Sequence, residues 1–367
     1  MTRGDEIVYL TALNSVFRYR GGAARTLLDH FGSASAIFYH TALELSQITG
    51  LSAKITSDLL SEQNIIAAQN EVDKANKQGI FTHTLYGSSY PKRLAQCPDA
   101  PVLLYQQGPI NLSGNKMLAI VGTRSATPSG IQTTERIVKE LAQRGHNCTI
   151  ISGLALGIDI TAHKVALEIG LPTVAVFAFG LDHIQPVAHT SIAHIIAKKG
   201  ACVTDFPSKT VVNKSNFLKR NRIIAGLADG VLVVESKEKG GALITADIAQ
   251  SYDREVMAVP GRWNDVCSQG CNNLIRSQQA GLVSNVEDIE QQLGWTPSTT
   301  QKSNPTVSPS NDLIDSSLLQ ALDGSPQSID QLHRISQLPL PELSARLMSL
   351  TVQGTIKRTH NHLYCIA

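Results

Sequence analysis

Six short apolar runs recur along the middle of the chain, MLAIVG, TIISG, TVAVFAFG, ACVTDF, GVLVVES and EVMAVPG, each ending in a Gly, a Ser or an aromatic. Runs of this length, with few polar positions inside them, predict strands buried on both faces. Between them the apolar positions recur at helical spacing, notably over 131–144 and 158–169, and the turns carry Gly, Pro or Ser. Strands alternating with helices predict a mostly parallel sheet covered on both sides. Residues 80–294 are therefore expected to form an α/β, doubly wound, extended Rossmann-like domain.

The flanks read differently. Residues 1–79 have helical spacing throughout, and LSQITGLSAKITSDLL implies two short helices joined at Gly50, with Ser52 opening the second. That is a helix-hairpin-helix or SAM-like outline, open both to a DNA contact and to a purely structural role, because the only cation near its loop is Lys54. After Trp295 the stretch TPSTTQKSNPTVSPSN predicts a flexible linker over 295–311. Residues 312–367 offer three helical stretches and then the alternating segment TIKRTHNHLYCIA, the outline of a winged helix. Its third helix, near 340–350, holds Arg346 as its only basic residue, so a protein partner is as open as a DNA groove.

Composition narrows the class. At 367 residues, 42% hydrophobic and 17% charged, the chain has the size and balance of a soluble protein of two or three domains. No stretch approaches the roughly 18–20 uninterrupted apolar residues of a membrane span. The N-terminal MTRGDEIVYL lacks the apolar core of a secretory signal, so a cytoplasmic location and six free thiols are expected. Cys148 and Cys202 fall in strand-like runs, while Cys267 and Cys271 lack the second pair or histidine that would complete a zinc set. No metal is expected. Three scattered histidines, His163, His183 and His189, do not make a catalytic set, and no catalysis is expected from them.

A net charge of +2 announces no nucleic-acid partner, but its distribution is uneven. From Phe206 to Ala228 there is no acid, while Lys209, Lys214, Lys219, Arg220 and Arg222 all lie in that window. Open parallel sheets bind ligands at the carboxyl ends of their strands, so those ends hold the candidate chemistry. The first run leads into GTRSATPSG, residues 122–130, with small residues, four hydroxyls and Arg124 in the turn. The second ends in SGLALGID, where the main-chain N–H groups of Ser152 and Gly153 are candidates to meet an anion. Neither the dinucleotide fingerprint GxGxxG nor the P-loop GxxxxGK[ST] is present, so no nucleotide cofactor is expected. KSNFLKRNRIIAG, residues 214–226, sets Phe217 among cations. Single-stranded DNA is held by cations on its phosphates and aromatic faces on its bases. A core anchor beside a solvated basic face explains the segment equally well.

Taken in order, GTRSATPSG, SGLALGID, FLKRNRIIAGLADGVLVVES, GGALITADIAQ and MAVPG resemble the DprA/Smf family over nearly the whole chain. The resemblance implies an extended Rossmann domain that binds single-stranded DNA in a cationic pocket, dimerises, and promotes loading of RecA during natural transformation, without catalysis. Carried to this sequence it implies DNA contacts from Arg124, Ser152, Gly153, Lys214, Phe217, Arg220 and Asn221. Arg222 joins this candidate set, although the motif does not say which of its cations points inward. Two departures touch pocket detail: HIQPVAH stands where the family has a Tyr-Pro pair followed by Asn, and Gly240-Gly241-Ala242 where it has Ser-Gly-Ser.

Two other functions compete. GGALITAD partly echoes the PGGxGTxxE signature of lysine-decarboxylase-like phosphoribohydrolases, but it lacks the Pro, the Gly before Thr245 and the Glu. A duplex-DNA regulator acting through the C-terminal module would rest on Arg346 alone.

Overall fold

The computed structural model describes residues 3–17, 21–297, 318–319, 321–322, 325–336, 338–352, 355–359 and 363–366. The chain divides into two compact units, Met1–Ser298 and Thr299–Ala367.

The larger unit is built on one nine-stranded sheet. Its strands are β1 (Phe81–Thr84), β2 (Leu103–Gln107), β3 (Met117–Val121), β4 (Thr149–Ser152), β5 (Thr173–Val176), β6 (Ala201–Thr204), β7 (Gly230–Val233), β8 (Glu255–Ala258) and β9 (Gly281–Leu282). They lie in the order β1-β2-β6-β5-β4-β3-β7-β8-β9. From β6 through β9 every pairing is parallel, whereas β2 runs antiparallel to β6 and β1 antiparallel to β2. All six runs predicted as strands become β3–β8. The alternation along β3 explains their apolar character: Met117, Ala119 and Val121 join one buried cluster, Leu118 and Ile120 the cluster on the opposite face. Both faces are covered, and the buried Ser152, Thr173 and Thr204 of β4–β6 donate their hydroxyls to backbone carbonyls.

Among the described residues, six helices precede the sheet: α1 (Arg3–Phe17), α2 (Gly21–Phe31), α3 (Ala34–Ile37), α4 (Ala42–Thr49), α5 (Ala53–Leu60) and α6 (Glu62–Lys77). A capping box between Thr41 and Glu44 starts α4, and Gly50, at φ +68°, ends it in the left-handed conformation expected of that glycine. Ser52 holds the N-cap position of α5, yet its side chain makes no capping bond. These helices do not stand apart. Leu13, Phe17, Leu27 and Ile37 belong to the same buried cluster as Leu103 and Leu104 of β2, and Asn14 Nδ2 donates to the Asp205 carbonyl at 2.8 Å. The change of element type near residue 79 is thus no break in the core.

Beyond the short α7 (Lys92–Ala95), the crossover helices are α8 (Pro128–Gln143), α9 (Ile158–Ile169), α10 (Thr190–Lys199), α11 (Lys214–Leu227), α12 (Gly241–Ser251) and α13 (Gln269–Arg276), and α14 (Val286–Leu293) follows the last strand. The span of α9 is the predicted one. α8 starts three residues earlier than periodicity suggested, because Thr127 caps it and Pro128 supplies a pre-set first turn. Trp295, taken as the start of the linker, is 8% exposed and packs in the core beside His146. The rest of the linker beyond Pro297 lies outside the described residues.

The smaller unit has α15 (Ile329–Ser336), α16 (Leu340–Val352) and an antiparallel pair, β10 (Ile356–Arg358) with β11 (Tyr364–Ile366). Leu318, Leu322, Leu332, Leu343, Leu347, Leu350 and Ile356 form its own core. Among the described residues, no helix of either unit is long and apolar enough to cross a membrane.

Candidate nucleic-acid interface

The order of the sheet reverses at β3. The chain steps outward through β4, β5 and β6, then crosses back to place β7 on the other side of β3. At such a switch point the loops leaving neighbouring strands diverge and a crevice opens between them. Here the loop after β3, the start of α9, the loop after β7 and the middle of α11 enclose a cavity of about 340 Å³. Gly157 allows the walls to meet: it sits at φ +78°, and a Cβ there would come within 2.2 Å of the Thr123 carbonyl oxygen.

Four predicted residues line this cavity: Arg124, Phe217, Arg220 and Asn221. Phe217 is partly buried and meets Phe179 edge-on at a ring separation of 6.5 Å. The Arg124 guanidinium lies 5.1 Å from its ring centroid and that of Arg220 6.0 Å. Chemically, an aromatic face flanked by two guanidinium groups can accept a stacked planar ring within a positive rim.

Arg220 forms the floor. It is 4% exposed, donates through Nη1 to the carbonyls of Gly153 (2.8 Å) and Val176, and donates through Nε to Asn221 Oδ1 (3.2 Å). The guanidinium occupies the space a side chain on residue 153 would need; a Cβ would lie 2.3 Å from Nη2. Burial lowers the Arg220 pKa to about 10, opposed by the Asp159 carboxylate and reinforced by Arg124. The side chain remains cationic at neutral pH. Asp159 is the only carboxylate lining the cavity among the described residues; burial pushes its carboxyl up and the Arg220 charge holds it down.

Beneath this floor His163 is fully buried. The Thr173 hydroxyl donates to the Ile150 carbonyl, so His163 Nδ1 must carry the proton in its 2.7 Å bond to Thr173 Oγ1. Burial, with Arg220 nearby, lowers its pKa to about 3, so the ring stays neutral. His189 Nδ1 donates to the Leu154 carbonyl at 2.8 Å, which ties the ring to the loop after β4 and gives it a packing role.

The other predicted residues lie elsewhere. Ser152 is fully buried and its hydroxyl donates to the Ile120 carbonyl at 2.6 Å. The Gly153 N–H is taken by Asp159 Oδ2 at 3.1 Å, so that donor is not open to an anion. Arg222 points to the opposite side of α11, where it pairs with Asp205 and donates to the Asp99 carbonyl. Two residues apart on a helix means roughly 200° of rotation, so Arg220 and Arg222 cannot share a face. Lys214 is exposed at the first position of α11 and does not line the cavity. In its place stand Lys237 and Lys239, which sequence reasoning missed. Their signal was the position of KEKGG directly after the apolar GVLVVES run, masked by Glu238 between them.

The DNA recombination-mediator protein A family model matches residues 82–294, and the DprA winged helix domain model matches 301–361. The chain is 38% identical to the DNA processing protein DprA of Bacillus subtilis over 218 residues, 59% of this chain and 72% of that one. It is 27% identical to Protein Smf of Synechocystis over 91% of this chain and 92% of its relative. Among solved structures, DprA from Streptococcus pneumoniae superposes with a TM-score of 0.67 at 28% identity, over 79% of this chain and 98% of that one. DprA from Helicobacter pylori, whose structure concerns its single-stranded DNA binding mode, superposes with a TM-score of 0.52 at 31% identity, over 58% and 95%. With a Rossmann-like sheet reversing at β3, a winged-helix module after it and relatives at this level of identity, the chain belongs to the DNA recombination-mediator protein A family, the DprA/Smf proteins.

Proposed function

We propose that this chain binds single-stranded DNA without sequence preference in the cavity around Phe217, without covalent chemistry, and passes the strand to the RecA recombinase during natural transformation. The observation that carries the reading is the Phe217 ring set between Arg124 and Arg220 at the switch point of the sheet, with Lys237 and Lys239 on the rim. Cations neutralise phosphates and release counterions, while the ring supplies base stacking worth roughly 1–3 kcal/mol. The single-stranded DNA named for the Helicobacter pylori relative supports the same ligand class. Following the family resemblance, we infer a cytoplasmic homodimer presenting two such cavities; an assembly that holds DNA and recombinase together makes the second encounter intramolecular. Competition between single-stranded and duplex DNA tests the reading: the single strand should win by at least tenfold, and equal affinity would refute it.

The phosphoribohydrolase alternative needs an acid and a base at the bound nucleotide. The cavity's one carboxylate among the described residues, Asp159, is already engaged by the Gly153 N–H. Incubation with nucleoside monophosphates should release no base. In the smaller unit Arg346 pairs with Glu342 at 3.2 Å on its own helix, and base readout usually draws on several such side chains rather than one.

A further inference from the structure

A second cavity, about 470 Å³, opens on the far side of the segment that follows β7. The first turn of α8, Glu235, and the loop after β8 with Arg262 and Asp265 form its walls. In a Rossmann-like sheet the helix after the first parallel strand points its N-terminus at the switch point, and a ligand phosphate ordinarily sits there. Here that place is filled from within the protein. Glu235 is 6% exposed; its Oε2 accepts the Thr127 N–H at 2.9 Å and its Oε1 accepts the Thr127 hydroxyl. Thr127 Oγ1 in turn accepts the Gly130 N–H at 3.1 Å. A Cβ on residue 130 would lie 2.3 Å from Glu235 Cδ, so the glycine makes room for this carboxylate.

The two cavities share a wall and differ in charge. Among the described residues, Glu235 faces the second, together with Asp265 and one cation, Arg262; the next residue, Ser236, faces the Phe217 cavity with its four cations. A phosphate entering the second cavity would meet two carboxylates and find the Thr127 N–H already bonded.

We propose that Glu235 is a specificity-determining residue: an internal stand-in for phosphate that closes the N-terminus of α8 to nucleotides and to DNA phosphates, and so directs them to the Phe217 cavity. The last step rests on the DNA-binding reading of that cavity; the closure does not. Inorganic pyrophosphate, titrated into the full-length protein while the Thr127 and Gly130 amide signals are followed by NMR, separates the two. In wild type those signals should stay still. In Glu235→Ser they should shift to saturation, at a pyrophosphate concentration at least tenfold below any effect in wild type. Glu235→Gln, which keeps the side chain's size and drops its charge, should respond in the same direction but more weakly. Saturable shifts at Thr127 and Gly130 in wild type would overturn the proposal, as would their absence in a folded Glu235→Ser or, should that variant not fold, in Glu235→Gln. A parallel titration with single-stranded DNA reports on the Phe217 cavity alone, so its failure would leave the role of Glu235 standing.

Discussion

The guanidinium of Arg124 lies 5.1 Å from the ring centroid of Phe217, a cation held over an aromatic ring that lines the cavity. Phe217 is only partly buried, so its truncation should read out in binding more than in folding. Phe217→Ala is expected to weaken single-stranded DNA binding by about 1–3 kcal/mol with an unchanged salt dependence. Its folding cost should fall below the roughly 3–5 kcal/mol of a fully buried ring. Thermal melting alongside binding isotherms decides this; normal affinity in a strongly destabilised variant would make the ring a core anchor.

Arg222 predicts the reverse pattern. It and Asp205 are 6% and 1% exposed, and removing one partner leaves an uncompensated buried charge. Arg222→Ala should lose about 3–5 kcal/mol of stability in denaturant melts. The protein that remains folded should bind DNA as wild type does. A selective loss of affinity at normal stability would return Arg222 to the DNA site.

His163 gives a pH dependence with a definite sign. Its pKa falls from 6.5 to about 3 in the folded chain, so below about pH 6.5 the unfolded chain takes up a proton that the native state refuses. The stability that the neutral ring contributes is present above that value and declines as pH falls toward 3. In His163→Gln the slope of stability against pH between 4 and 6.5 should be shallower, by up to roughly 1.4 kcal/mol per pH unit. Urea midpoints at several pH values check this, and parallel curves for the two proteins would contradict it.

The smaller unit should not contribute to the DNA site. A chain ending at Ser298, the boundary between the two compact units, should keep single-stranded DNA affinity within about twofold of the full chain if the cavity's cations bind the phosphates. A drop of tenfold or more, measured by fluorescence anisotropy, would give the C-terminal module a direct share in binding.

What the sequence disclosed follows from its periodicities. β3–β8 were legible because burial on both faces makes each a mostly apolar run. β1, with the sequence FTHT and mostly half-exposed side chains, and the two-residue β9 carry no such pattern and emerged only from the structure. In the candidate site, composition located the cationic segment of α11 but not its rotation. That rotation sends Arg220 into the cavity and Arg222 into the core, while Lys214 stays in solvent at the helix start. Of the two main-chain donors expected at the end of β4, the Gly153 N–H is consumed by Asp159 inside the protein, a pairing six residues on that the strand pattern does not reveal. Lys237 and Lys239 reach the cavity through the crossover that sets β7 beside β3, a neighbourhood no local window contains.

The salt dependence of single-stranded DNA binding tests the central claim most directly. Removing one cation that neutralises a phosphate should flatten the slope of log affinity against log salt by about one unit. Arg124→Ala and Lys237→Ala should each do so, the double variant by about two units, and Lys214→Ala should change the slope least. Unchanged slopes in folded Arg124→Ala and Lys237→Ala, with wild-type affinity retained in the double variant, would show that the DNA does not enter the cavity around Phe217.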